Sequence, residues 1–123
     1  MSKITAVPRK TAVPETRLRK ICLALPQTTE RLSHSAPTWF FKDKKPFLML
    51  WVRGHHQNQF PHFWFAAGPG VQEDLVASDP KQFFRPPYVG GRGWVAGRLD
   101  GKVDWPLIER LCAEAHETVS GKK

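Results

Sequence analysis

The chain has 123 residues, 41% of them hydrophobic and including 5 Trp and 8 Phe, enough apolar mass for a single self-supporting core and too much for a disordered chain. Its 19 Lys and Arg against 11 Asp and Glu give a formal net charge of +8, a field that attracts polyanions. No apolar run approaches the ~18 residues that cross a bilayer and no apolar leader opens the chain, so a cytoplasmic protein without a membrane partner is expected.

Residues 1–13 echo one short phrase, Thr5-Ala6-Val7-Pro8 and then Thr11-Ala12-Val13-Pro14. Two tetrapeptides are too short for a structural repeat, and this part is read as a flexible basic tail before one α+β domain over 14–120. The first helix is placed from Pro14, where a missing N–H is no loss. Leu18, Ile21, Cys22 and Leu25 then recur at helical spacing until Pro26 stops them. A strand-rich block follows. Thr28 to Ser33, Trp39-Phe40-Phe41, Phe47 to Val52 and His62 to Ala66 alternate with polar turns, which suggests an antiparallel meander.

The run Phe47 to Val52 is apolar on both faces. Strict alternation puts Leu48, Leu50 and Val52 on one side and Phe47, Met49 and Trp51 on the other. One side meets the helices; the other is covered by loops, by a partner, or left as an aromatic surface. Beyond Gly68-Pro69-Gly70, a short helix is expected over Val71 to Ala77, then a further turn capped by Asp79-Pro80. Arg85-Pro86-Pro87-Tyr88 must be extended, Gly90 to Gly93 is a flexible turn, and Trp94 to Leu99 is the last strand. The last helix is capped by Asp104 with Pro106 in its first turn, and Leu107, Ile108, Leu111, Cys112, Ala115 and Val119 form its apolar stripe. Cys22 and Cys112 lie on the apolar sides of the first and last helices and read as buried free thiols.

The segments ICLALPQTTE, SHSAPTWFFKDKKPF, PGVQEDLVASDP and FFRPPYVGGRGWVAGRLD, followed by VDW, resemble the MmcQ/YjbR-like proteins over residues 15–120. The FFRPPYVG-x-RGW segment is the most specific part. Where that family's first hairpin reads His-Gly-x-Pro, this chain has Ser35 in place of the glycine, and Lys42-Asp43-Lys44-Lys45 replaces a compact Gly-Lys turn. The resemblance implies a fold like bacterial frataxin (CyaY): an antiparallel sheet with the N- and C-terminal helices packed on one face. It also implies a double-wing mode of DNA binding, with β-hairpins as the wings. It implies no catalytic residues.

Two basic clusters are the candidate nucleic-acid contacts. Lys42, Lys44 and Lys45 sit at a hairpin tip, with Arg53 beyond the next strand beside His55 and His56; each neutralised phosphate would release a counterion. The second cluster is Arg85, Tyr88, Arg92 and Arg98 with Trp94, where guanidinium groups beside rings suit phosphate contact and base stacking. Its glycines form neither a P-loop nor a dinucleotide fingerprint. His55, His56 and His62 lack the cysteine or carboxylate pattern that would complete a zinc site. Ser33-His34-Ser35 has no nucleophile elbow and no clear carboxylate orienter. The expectation is therefore a DNA-binding protein with no cofactor and little sequence preference, a monomer or weak homodimer. The alternative is a small-molecule or protein-binding module that uses Phe47, Met49, Trp51 and Trp64.

Overall fold

The structure, a computed structural model, describes residues 6–56 and 58–121, with side chains from Pro14 onward. Its elements in order are α1 (Ala6–Leu23), β1 (Thr28–Ser33), β2 (Ala36–Phe41), β3 (Lys45–Trp51), β4 (His62–Phe65), α2 (Val71–Ser78), β5 (Phe83–Phe84), β6 (Val95–Arg98) and α3 (Trp105–Ser120), with a 3₁₀ turn at Val89–Arg92. Helix α1 starts ahead of Pro14, which was expected to open it and instead lies inside it. Pro14 lacks the N–H that would meet the carbonyl four residues back, so the helix crosses this point one bond short. Of the tail expected over 1–13, residues 1–5 lie outside the described residues.

All six strands pair antiparallel in the order β1-β2-β3-β4-β6-β5. The first four form the expected meander. After β4 the chain leaves through α2, returns at the far edge as β5, and turns inward so that β6 pairs with β4. Asp79 does not begin a new helix. It caps the end of α2, its N–H donating to the Leu75 carbonyl at 3.0 Å, and its own carbonyl accepts from Gln82 and Phe83, each at 3.0 Å. Phe83 is then fully buried opposite Gly97. A Cβ at Gly97 would stand 2.9 Å from Phe63 Cε1, so only glycine lets Phe63 and Phe83 share that space.

Cross-strand partners share a face. Trp39, Leu48, Phe65, Leu50 and Phe63 are linked in register on the face toward α1 and α3. Leu18 and Cys22 from α1 complete this core with Ile108, Leu111, Cys112 and Ala115 from α3. Both cysteines are fully buried free thiols, and burial together with the neighbouring Cys112 pushes the Cys22 thiol up. On α1, Arg19 donates to Glu30 of β1 at 2.9 Å, and Trp39 Nε1 donates to the same carboxylate at 3.2 Å. At α3, Asp104 Oδ1 accepts from the Leu107 N–H at 3.1 Å as an N-cap, and Gly121 ends the helix at φ 76°.

Phe47 departs from strict alternation. The β2–β3 register passes from Trp39↔Leu48 to Phe40↔Pro46, leaving Phe47 as the extra residue of a bulge. A bulge turns two successive side chains to one side. Phe47 therefore packs on the helix side, edge-on to His116 of α3 at 5.4 Å, beside Phe41 at 5.2 Å from the same ring. His116 Nε2 donates to the Pro26 carbonyl at 2.7 Å, tying α3 to the α1–β1 connection.

Candidate functional site

At the β2–β3 tip, Lys42 and Asp43 both adopt positive φ, 53° and 60°, and the Lys44 N–H donates to the Phe41 carbonyl at 3.0 Å. The mirror-type turn matches the twist of the two strands. Asp43 points back to β1, pairing with Arg31 and accepting from Thr29 Oγ1 at 3.0 Å. Lys42, Lys44 and Lys45 are exposed and join no ion pair among the described residues. Arg53 is likewise exposed, beyond the other end of β3. With β3 between them, the tip lysines and Arg53 are separated by roughly 20 Å.

The second cluster is brought together only in part. Gln72, buried on α2, donates through Nε2 to the carbonyls of Gly90 and Trp94 at 2.8 and 2.7 Å, and its Oε1 accepts from Arg85 at 3.2 Å. A Cβ at Gly90 would fall 2.8 Å from Arg85 Cγ. Arg85 and Arg92 consequently line one shallow groove of about 270 Å³ at the start of α2, together with Glu73. Arg98 is elsewhere. Its guanidinium makes two bonds to Asp100, at 3.0 and 2.7 Å, and stacks 3.8 Å from the Phe60 ring centroid. The Arg98 bonds hold the Asp100 carboxyl below its usual range. Among the nominated cations, Arg98 alone is held in an ion pair between described residues.

The sheet face opposite the helices carries a partly enclosed pocket. Met49, Trp51 and Trp64 form its floor, and two loops roof it: His55 and His56 from the β3–β4 connection, Tyr88 and Val89 from the β5–β6 connection. With His34 from the β1–β2 turn they bound a pocket of about 480 Å³, within the ~300–1,000 Å³ usual for small-molecule sites. His55 lies 4.3 Å from the Trp51 ring and 4.9 Å from Trp64, centroid to centroid. Tyr88 stands 6.0 Å from His55 and is 77% exposed.

Tyr88 is strained. Its φ of 65° and ψ of −66° place it at the centre of a γ-turn closed by the Val89 N–H on the Pro87 carbonyl at 2.6 Å. This positive-φ form is rare, and such conformations cost about 1–3 kcal/mol and gather at functional sites.

Four buried ring nitrogens on this face have no hydrogen-bond partner among the described residues: Trp51 Nε1, Trp64 Nε1, His55 Nδ1 and His62 Nε2. Buried polar atoms are ordinarily satisfied, and each exception costs about 1–3 kcal/mol. His62 Nδ1 donates to the Phe60 carbonyl at 2.8 Å, which leaves its Nε2 an acceptor in the neutral ring. Burial lowers the pKa of both His55 and His62, with the His56 charge adding to the effect at His55. Both are neutral near pH 7.

Sequence reasoning identified Met49, Trp51 and Trp64 as a second face, but it added Phe47, which the bulge sends to the core. His55 and His56, set beside Arg53 in the sequence reading, line the roof of this pocket. Their adjacency inside a polar segment between two aromatic strands was the available signal. Among the described residues no group of His, Cys, Asp or Glu is arranged to hold a metal ion, and no helix is long and apolar enough to cross a membrane.

The YjbR family model matches residues 23–118. The crystal structure of Deinococcus radiodurans protein DR2400, with its DUF419 domain, has a similar fold: TM-score 0.70 at 20% identity, covering 85% of this chain and 77% of that one. No curated protein matches.

Proposed function

The chain belongs to the YjbR family, and we propose that it binds nucleic acid, DNA in the first instance, through the phosphate backbone and with little sequence preference. The observation that carries this reading is the disposition of its cations. Lys42, Lys44 and Lys45 at one end of β3 and Arg53 at the other are exposed and outside any ion pair between described residues. Together with the formal net charge of +8, they offer a duplex two contact points spaced along its backbone. The β2–β3 hairpin acts as one wing. The turns at the far end of β3 act as the other. Arg85, Tyr88 and Arg92 contribute from the β5–β6 loop, and Arg98 contributes less because Asp100 already engages it. The reading is of a cytoplasmic monomer or weak homodimer that performs no catalytic step.

Anisotropy of a labelled random-sequence duplex, titrated with protein at two salt concentrations, tests it. Affinity should fall steeply between about 50 and about 200 mM salt, as phosphate-directed binding does. Absence of binding at the lower salt would reject the reading.

A further inference from the structure

On the helix side of the sheet lies a cavity whose charge is opposite to that of the lysine tip. It holds about 400 Å³ between the C-terminal half of α3 and the connection from β4 to α2, within the ~300–1,000 Å³ usual for small-molecule sites. The floor is apolar. Phe65, Ala66 and Leu111 are buried there, with Ala67 and Val71 half-buried beside them.

No Lys, Arg or His lines this cavity, in a chain of formal net charge +8. Its charged groups are Glu114 and Glu117, three residues apart and so neighbours on one face of α3. Both are exposed, and neither joins an ion pair between described residues; Arg110, one turn ahead of Glu114, stays outside pairing distance. Thr118 also lines the cavity, and its hydroxyl donates to the Glu114 carbonyl at 2.8 Å, which leaves the oxygen as an acceptor. At Gly121 the wall meets the C-terminus of α3, whose last turn carries no basic residue. The negative end of the helix dipole therefore adds to the two carboxylates.

The polar side chains of the lining thus all accept, and the floor has no polar side chain at all. Such a cavity repels an anion. A neutral hydrocarbon would use the floor and ignore the rim, whereas an alkyl chain ending in a cation uses both. We infer that this cavity is a binding site for a small aliphatic amine, its alkyl chain lying on Phe65 and Leu111 and its ammonium held between Glu114 and Glu117. The site is independent of the nucleic-acid reading, since a phosphate has the wrong sign for it.

The test is a titration of the full chain with n-butylamine and with n-hexylamine, followed by proton–nitrogen NMR. The amide signals of Gly68 and Gly121, which both line the cavity, should move saturably. Hexylamine should bind about fifteenfold more tightly than butylamine, since each buried methylene is worth about fourfold. Hexanol should bind more weakly than hexylamine, and hexanoate should not bind. Glu114→Gln and Glu117→Gln should each weaken hexylamine by about two- to fivefold, the size of a partly exposed ion pair. Neither variant should change the affinity for hexanol or, because both side chains are exposed, the melting temperature. No saturable shift with hexylamine, equal affinity for hexanol, or indifference to the double variant would overturn the inference. Saturation by an acetylated lysine peptide but not by hexylamine would overturn it in favour of a protein partner. A protein that binds duplex but no amine loses this site and keeps the proposed function; the opposite pattern does the reverse.

Discussion

Gln72 holds Arg85 across the start of α2, its Oε1 accepting from the guanidinium at 3.2 Å. The same side chain, through Nε2, fixes the carbonyls of Gly90 and Trp94 at 2.8 and 2.7 Å. One buried amide thus sets the path of the whole β5–β6 loop and, through it, the place of Tyr88 over the aromatic pocket. Replacing it by an apolar side chain takes the amide donor from both buried carbonyls, and the Gly90 carbonyl keeps only the Gly93 N–H at 3.0 Å. Gln72→Leu should cost about 1–3 kcal/mol of stability, read as a lower melting temperature. It should also reduce any binding that depends on Tyr88, measured in the same variant below its melting point.

Binding through the hairpin tip predicts a specific change in salt dependence. Each lysine that neutralises a phosphate contributes close to 0.9 to the slope of log K against log salt. The double variant Lys44→Ala, Lys45→Ala should weaken duplex binding to every sequence alike and flatten that slope by about 1–2. An unaltered slope removes the tip from the interface.

Arg98 is restrained by Asp100, and releasing it should have the opposite sign. Asp100→Asn removes the carboxylate that engages the guanidinium and, by removing one negative charge, raises the net charge of the surface by one. Duplex affinity should rise severalfold at low salt, with the gain vanishing as salt is raised. Unchanged affinity in an anisotropy titration would place Arg98 outside the contact surface.

Ser35 occupies a left-handed position, φ 66°, in the β1–β2 turn, next to His34 at 53°. Side chains with a Cβ are disfavoured there and glycine is not. Part of the gain is returned because glycine makes the unfolded chain freer. Ser35→Gly should still stabilise the protein by about 0.5–1 kcal/mol, measured by denaturant unfolding. A destabilised variant would mean that the serine hydroxyl contributes more than the backbone loses.

The pH dependence of stability follows from His55 and His62, whose pKa values lie below the ordinary histidine value of 6.5 because both are shielded from solvent. At His62 the Phe60 carbonyl and Asp100 oppose that shift, and His55 and Arg98 reinforce it. The unfolded chain then binds protons more readily than the folded one as pH falls, so stability is full above about pH 6.5 and declines below it. Melting temperature should drop between about pH 7.5 and about pH 5.5. His62→Gln, which cannot take up a proton, should show a shallower drop over the same range.

Much of the framework was legible locally. Period-two runs and turn residues located β1, β3 and β4; Asp104, Pro106 and Gly121 delimited α3; and the FFRPPYVG segment pointed to the family that the match over 23–118 establishes. These signals are short-range, since capping bonds, backbone preference and face periodicity act within a few residues of chain.

What tertiary structure alone decided is non-local. The bulge that turns Phe47 into the core depends on how β2 pairs with β3, and β5 takes the sheet edge because Phe83 finds burial opposite Gly97. Likewise, residues 34, 49, 51, 55, 56, 64, 88 and 89 become one pocket only when two loops fold back over the same sheet face. Composition fixed how many rings and cations the chain carries. Pairing register and desolvation, which no local pattern encodes, decided which rings enclose a cavity and, among the described residues, which nitrogens are left without partners and which cations stay outside ion pairs.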